Sequence, residues 1–322
     1  MPQPHRFAVA ALGELVIDLI PTRGADGGAC LAPKPGGAPG RRGRVARLGG
    51  LAAILSKVGD DAFGQLLIET LTANGIATEG VLTTRESNTS LAAVTVSPDG
   101  EREFLIYRNG SADSTYAPRE VATDVIRATR ILHVGSLWLG EPICGAAQRH
   151  AVQIAPEAAI LVSFDVNLRP SLRRNAEEMR AVALEAAEEA DILKVSAAEL
   201  ALMAGTPDVE EGVVRLSPPR RRLIAVISGP GCALLAWHGR RVRIPGFAVK
   251  VFDTVGCGDA FMASLLVDLG ASEADLASED GLVRLGRSAV AASALAARAA
   301  GAMDALPTAA QREAFLLAAD SV

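Results

Sequence analysis

Runs in which nearly every position is apolar recur along the chain at residues 7–12, 51–55, 131–134, 160–164, 192–195 and 223–227. Such runs suit strands covered on both faces, as in a parallel sheet flanked by helices. Helical patterns at 63–74, 176–190 and 260–269 lie between or after them and supply the crossovers. The pattern predicts an α/β fold, an open three-layer sandwich around a mainly parallel sheet.

Two stretches break that rhythm. Residues 91–97 and 101–107 alternate in polarity around Pro98-Asp99-Gly100, which reads as a hairpin. Residues 15–20 and those around 30–32 read as two more strands joined by the Gly-rich turn at 23–28. Pattern alone leaves two placements open for these strands. They form a small antiparallel β lid over a site, or they extend the main sheet at its edge. With no internal repeat and no long linker, residues 1–322 read as one domain, with lid segments near 14–34 and 89–110.

Composition narrows the function classes. Apolar residues make up 49% of the 322 and aromatic residues 4%, so the core is packed by Ala, Val and Leu. The net charge of −5 argues against a nucleic-acid surface over the whole chain. The concentrated basic runs, Arg41-Arg42-Gly43-Arg44 and Arg220-Arg221-Arg222, read as solvated loops. Neither the four cysteines nor the four histidines have metal-site spacing, which fits a reduced, cytoplasmic protein without a structural metal. The apolar run at 7–12 is followed by Glu14 and Asp18, and no run reaches membrane-span length, so no membrane partner is expected.

The strongest chemical signal is Asp253-Thr254-Val255-Gly256-Cys257-Gly258-Asp259, set directly before the apolar helix at 260–269. Glycines at a helix start let the chain turn tightly and present its first N–H groups, which together with the helix dipole attract an anion. Asp259 in the first turn would stay ionised and accept a proton, which is most of what phosphoryl transfer asks of a protein. A Gly-rich turn capped by acids accounts for the same spacing.

Over residues 13–307 the chain resembles the ribokinase-like (PfkB) sugar kinases, and most of all their fructokinase branch. Asp253–Asp259 is similar to that family's C-terminal signature, Val58-Gly59-Asp60-Asp61-Ala62-Phe63-Gly64 to a second hallmark, and Glu101–Asp113 to the fructokinase pattern. The resemblance implies transfer of the ATP γ-phosphoryl group to the 6-hydroxyl of fructose. Asp259 would be the base, with Gly256, Cys257 and Gly258 at the anion hole. It implies sugar contacts from Asp18, Gly36, Gly37, Arg108 and Asn167. It implies ATP contacts from Arg169, Lys194, Ser228, Gly229, Gly231 and Asp253, with Glu199 organising Mg2+ through water and K+ as a further ion. A homodimer paired through the lid is in keeping with such families. Another sugar or sugar acid, such as 2-keto-3-deoxygluconate, or a catalytically impaired sugar-binding homologue, is the alternative.

Departures from the pattern are local. Gly40-Arg41-Arg42-Gly43-Arg44 stands where relatives begin Ala-Asn-Val-Ala-Val, and the stretch through Ala46-Arg47-Leu48-Gly49-Gly50 is one residue shorter, so the sugar-binding asparagine is missing, with Arg41 near its place. Ser196 takes an asparagine place, Ile227 a threonine place, and the region of Ser288-Ala289 an Ala-Asn pair of the adenine pocket.

Overall fold

The computed structural model describes residues 5–23, 29–37, 48, 50–96, 102–168, 175–229, 232–252, 254, 256–271, 276, 278–298 and 307–319. Its strands are β1 (Phe7–Leu12), β2 (Leu15–Arg23), β3 (Ala29–Gly37), β4 (Ala52–Gly59), β5 (Ala77–Thr84), β6 (Ser90–Val96) and β7 (Arg102–Tyr107). They continue as β8 (Thr129–Gly135), β9 (Leu161–Asp165), β10 (Ile192–Ser196), β11 (Leu223–Ser228), β12 (Cys232–Trp237) and β13 (Arg240–Ile244). The helices used below are α1 (Ala62–Ala73), α2 (Thr123–Arg127), α3 (Cys144–Glu157), α4 (Ala176–Glu188) and α5 (Ala197–Ala204). They are followed by α6 (Val209–Arg215), α7 (Cys257–Ala271), α8 (Glu279–Ala296) and α9 (Ala309–Ala319).

Nine strands form one sheet in the order β13-β12-β11-β10-β9-β8-β1-β4-β5. The pairs from β11 through β5 are parallel, and the antiparallel β12 and β13 close one edge. Alternate residues of the central strands feed two separate cores. Leu132, Val134, Val162, Phe164, Leu193 and Val195 pack on the side of α2 to α6. Ile131, Leu161, Ile192 and Leu223 pack on the side of α7 and α8, against Phe261, Leu265 and Leu282. That two-sided burial is why these strands read as unbroken apolar runs.

The remaining strands make a separate four-stranded sheet, β3-β2-β6-β7, which settles the open placement of the irregular stretches in favour of a projecting sheet. β2–β3 and β6–β7 are antiparallel, while the central β2–β6 pair is parallel because both strands run outward from the large sheet. Leu15, Ile17 and the partly buried Leu91 anchor it on α1 through Leu67 and Leu71.

Local sequence explains the element ends near the site. Asp61 caps α1 by accepting from Phe63 N at 3.0 Å and Gly64 N at 2.8 Å. Ser196 and Glu199 form a capping box at the start of α5, and Gly205 ends that helix with φ +67°. Of the basic runs, 41–44 lies outside the described residues. Arg221 is buried rather than solvated, because it donates to the Ala187 carbonyl in the last turn of α4, where a helix end favours a cation.

Candidate active site

The carboxyl ends of β9, β10 and β11 lie side by side, so residues at those ends are neighbours by register. Lys194 Nζ donates to Asp165 Oδ1 at 2.9 Å, and both side chains are nearly sealed, at 9% and 0% exposure. The first turn of α7 sits against this pair: a Cβ added to Gly258 would lie 3.2 Å from Lys194 Nζ. A side chain there would crowd the ammonium. Gly256 turns with φ +83°, and Asp259 follows in the first helical turn, half-buried. An α-helix leaves the N–H groups of that turn without partners inside the helix. The Cys257 amide is already committed, donating to the Thr254 carbonyl at 3.2 Å. Of the three residues expected at the anion hole, Cys257 thus contributes a structural turn bond.

Glu199 is held by several donors. Its Oε1 accepts from Leu168 N at 2.7 Å, and its Oε2 accepts from Ser196 N at 2.7 Å and Ser196 Oγ at 2.9 Å. The carboxylate thereby fixes the chain just beyond β9, where Asn167 takes φ +31° and its carbonyl accepts from Ser136 Oγ at 3.0 Å. Among the described residues, no group of three or more His, Cys, Asp or Glu side chains gathers to hold a metal ion. A divalent ion that keeps its waters and takes phosphate oxygens needs no such cage, and Glu199 suits contact through water. Ser228 ends β11 one strand further on, and Gly229 follows it at φ +61°.

The small sheet presents the other wall. Asp18, Ala92 and Ile106 are partners on successive strands and therefore share one face. Gly36 lies beneath Asp18 on that face: a Cβ there would fall on the Asp18 carboxylate, so only glycine allows the close approach. Gly37 pairs with Leu15 at the base of the same hairpin. Arg108, just past β7, borders a cavity of about 700 Å3 together with Ile106, Ser136, Glu141, Leu168 and Glu178. Arg108 and Leu168 connect the small sheet to the β9 end, while Asp18 and Asp259 are not among the residues lining this cavity. Arg169, Gly231 and Asp253 lie outside the described residues. Ser288 donates to Asp268 Oδ2 at 2.5 Å within a cluster that includes Ser264 and the buried Arg312.

Two anchoring residues went unmarked in the sequence. Asp165 pairs with Lys194, and the signal for it was its place at the end of a buried strand. Asp113, fully buried, accepts from Arg108 Nε at 2.6 Å, and the sequence showed it only as the close of the 101–113 segment.

Residues 7–309 match the sequence profile of the pfkB family carbohydrate kinases. The chain belongs to the pfkB family of carbohydrate kinases. Among pfkB relatives, Fructokinase-1 of Zea mays is 39% identical over 317 residues, covering 95% of this chain and 96% of that protein. Fructokinase-2 of Solanum lycopersicum is 38% identical over 314 residues, covering 94% of each. The crystal structure of a fructokinase from Xylella fastidiosa with bound ATP superposes with a TM-score of 0.88 at 27% identity, covering 97% of this chain and 99% of that one. A fructokinase from Vibrio cholerae O395 in its fructose-, ADP- and calcium-bound form gives 0.83 at 30% identity, covering 96% of this chain and 98% of that one. The three-layer architecture and the small sheet are those of ribokinase-fold kinases. Among the described residues, no helix is long and apolar enough to cross a membrane.

Proposed function

We propose that this chain is a fructokinase, which transfers the γ-phosphoryl group of ATP to the 6-hydroxyl of fructose with Asp259 as the base. The observation that carries it is the packing of Gly258 on the Lys194–Asp165 pair, because it holds the helix start bearing Asp259 against the carboxyl ends of β9 and β10. The curated fructokinases at 38–39% identity support the substrate.

Asp18 grips sugar hydroxyls as a carboxylate acceptor, and Gly36 and Gly37 let backbone approach the ligand. Arg108 and Asn167 complete the sugar contacts. Lys194, Ser228 and Gly229 face the nucleotide, joined by Arg169, Gly231 and Asp253 from outside the described residues. The Gly256 and Gly258 amides, with the dipole of α7, favour negative charge on the phosphoryl oxygens. Asp259 accepts the proton of the attacking hydroxyl. The divalent ion is Mg2+, which neutralises phosphate charge when bound with the nucleotide, and Glu199 orients its waters. K+ is a further ion for the same loop region.

Residues 1–322 act as one kinase domain, with the small sheet as a lid that closes over the sugar and excludes water. The outer lid face exposes Leu31, Leu105 and Tyr107, which favours pairing with a second copy of the chain. Among the described residues the cysteines form no disulfide, which suits a reducing cytoplasm.

A second reading is a kinase for a sugar acid such as 2-keto-3-deoxygluconate, favoured by the guanidinium of Arg108 at the cavity. A coupled ATPase assay over a sugar panel separates the two. Fructose is expected to give the highest kcat/KM. Turnover confined to an acidic sugar would transfer the assignment, and no turnover with any sugar would point to a sugar-binding homologue altered at 41–44.

A further inference from the structure

Arg108 is the one cationic side chain that the cavity and the lid share among the described residues. Its direction is set from the side away from the cavity. Nε donates to Asp113 Oδ2 at 2.6 Å, and Nη2 lies 3.4 Å from Cys144 Sγ. Burial pushes the Cys144 thiol up to about 11, against the pull of Arg108, so this sulfur is a neutral contact. The nearest balancing charge is Asp113, with Glu14 contributing more weakly.

Charge balance alone would need one bond, yet Asp113 gathers far more. Oδ2 also accepts from Trp138 Nε1 at 3.2 Å. Oδ1 lies 2.9 Å from Ser111 Oγ and is in contact with Ser90 Oγ. Ser111 Oγ is in turn 2.9 Å from the Arg108 carbonyl and 2.7 Å from Ser90 Oγ. The two hydroxyls hold one proton each. Ser90 donates to Asp113, and the Ser111 proton goes either to Ser90 Oγ or to the Arg108 carbonyl, which also accepts from Ser111 N at 3.2 Å.

The members of this network come from both sides of the lid's attachment. Ser90 opens β6, Arg108 follows β7, Trp138 lies between β8 and α3, and Cys144 begins α3. The chain enters the lid at 88–90 and leaves it at 107–112, and Ala112 N bonds the Asn88 carbonyl at 2.9 Å to join the two passages. Asp113 therefore sits beside this attachment of the small sheet, fully buried, with its carboxylate bonded to Ser90, Arg108 and Trp138. We propose that Asp113 is a positioning residue, which aims the Arg108 guanidinium at the acceptor sugar and keeps it fixed to the large-sheet side while the lid moves. A buried ion pair with several further hydrogen bonds has one favoured geometry, so the fork is preorganised before sugar arrives. The inference rests on the reading of Arg108 as a sugar contact.

The test is a kinetic cycle on the full chain with fructose and MgATP, using Arg108→Ala, Asp113→Asn and the double variant. Arg108→Ala is expected to raise the fructose KM about tenfold or more. Asp113→Asn is expected to raise it about tenfold, leaving the ATP KM within about twofold, and to add nothing in the Arg108→Ala background. An unchanged fructose KM in Arg108→Ala would overturn the sugar-contact reading itself. A normal fructose KM in Asp113→Asn, with Arg108→Ala impaired, would overturn only the positioning role. So would equal effects of Asp113→Asn with and without Arg108. Should Asp113→Asn fail to fold, Trp138→Phe removes one donor while keeping the ring that lies 5.5 Å from Tyr116. It is expected to raise the fructose KM about threefold, and no change there would count against the proposal.

Discussion

On the large-sheet side of the cleft, Asp165, Lys194 and Glu199 stand at the ends of adjacent strands or within one turn beyond them, and the register of β9 with β10 places them. On the lid side, Asp18 depends on a glycine one strand away, and Arg108 on a carboxylate that draws together β6, the segment after β7 and the α3 region. One half of the site is built by strand register, the other by side-chain bonds that converge where the small sheet attaches. The contrast predicts a division of labour. Damage on the first side should act on turnover and stability, and damage on the second should act on the sugar KM.

The largest effect is expected at Asp259. Asp259→Asn keeps the shape of the α7 first turn but removes the proton acceptor, so kcat should fall by about 10³-fold with ATP affinity retained. Steady-state kinetics and nucleotide titration together check this. A loss below about tenfold, equivalent to about 1.4 kcal/mol, would remove Asp259 from the base role.

Lys194 sharpens the comparison by combining both kinds of damage on one side. Lys194→Met leaves Asp165 buried and without its ammonium, which should cost about 3 kcal/mol in urea unfolding as well as raising the ATP KM. Adding Asp165→Leu should recover much of the stability while activity stays low. If activity returned with stability, the pair would be structural alone.

Gly36→Ala tests the lid side with a single methyl group. The new Cβ would fall on the Asp18 carboxylate, and either the carboxylate or the β2–β3 pairing must move. The fructose KM should rise about tenfold while the ATP KM and the unfolding midpoint change little. Equal changes in both KM values would mean that the two halves of the site are coupled more tightly than their construction implies.

Much of the large-sheet half was legible from sequence. Apolar runs at 7–12, 192–195 and 223–227 became β1, β10 and β11 almost residue for residue, because two-sided burial leaves an unbroken apolar record. β5, with only Gly80 fully buried, and the edge strand β13, with its exposed arginines, left no such record. The lid hairpins were visible through alternation and turn residues, but the parallel β2–β6 pairing that joins them was not, since pairing partners far apart in sequence leave no periodic signal. For the same reason Asp18 and Arg108 were found through their motifs, whereas Asp113, which acts through partners at 90, 108, 111 and 138, was not. The commitment of the Cys257 amide to Thr254 likewise depends on backbone geometry that residue types do not encode.

The smallest effect concerns Asp61, where the two halves meet. Its Oδ1 caps α1, accepting from Phe63 N and Gly64 N, and also lies 2.9 Å from Thr89 Oγ1, while its Oδ2 accepts from Thr89 N at 2.8 Å. Thr89 directly precedes β6, so this one side chain ties the start of α1 to the entry of the lid. Partial burial pushes the Asp61 pKa up, but the hydrogen bonds from Thr89, Gly64 and Phe63 outweigh it and hold the carboxyl below its usual value. A depressed folded pKa means that the stabilisation is complete above about pH 3.9 and is lost as pH falls through the folded value. Asn at the same place still caps the helix through its carbonyl, since Asn and Asp are near equals there. Its amide nitrogen cannot accept from Thr89 N. Asp61→Asn should therefore cost about 1 kcal/mol at pH 7, less if solvent reaches the pair, and the difference from the parent should shrink near pH 3. Urea midpoints at the two pH values measure it. A difference that stays constant with pH would assign the effect to shape rather than to the charged carboxylate, and the junction between lid and large sheet would then owe nothing to ionisation.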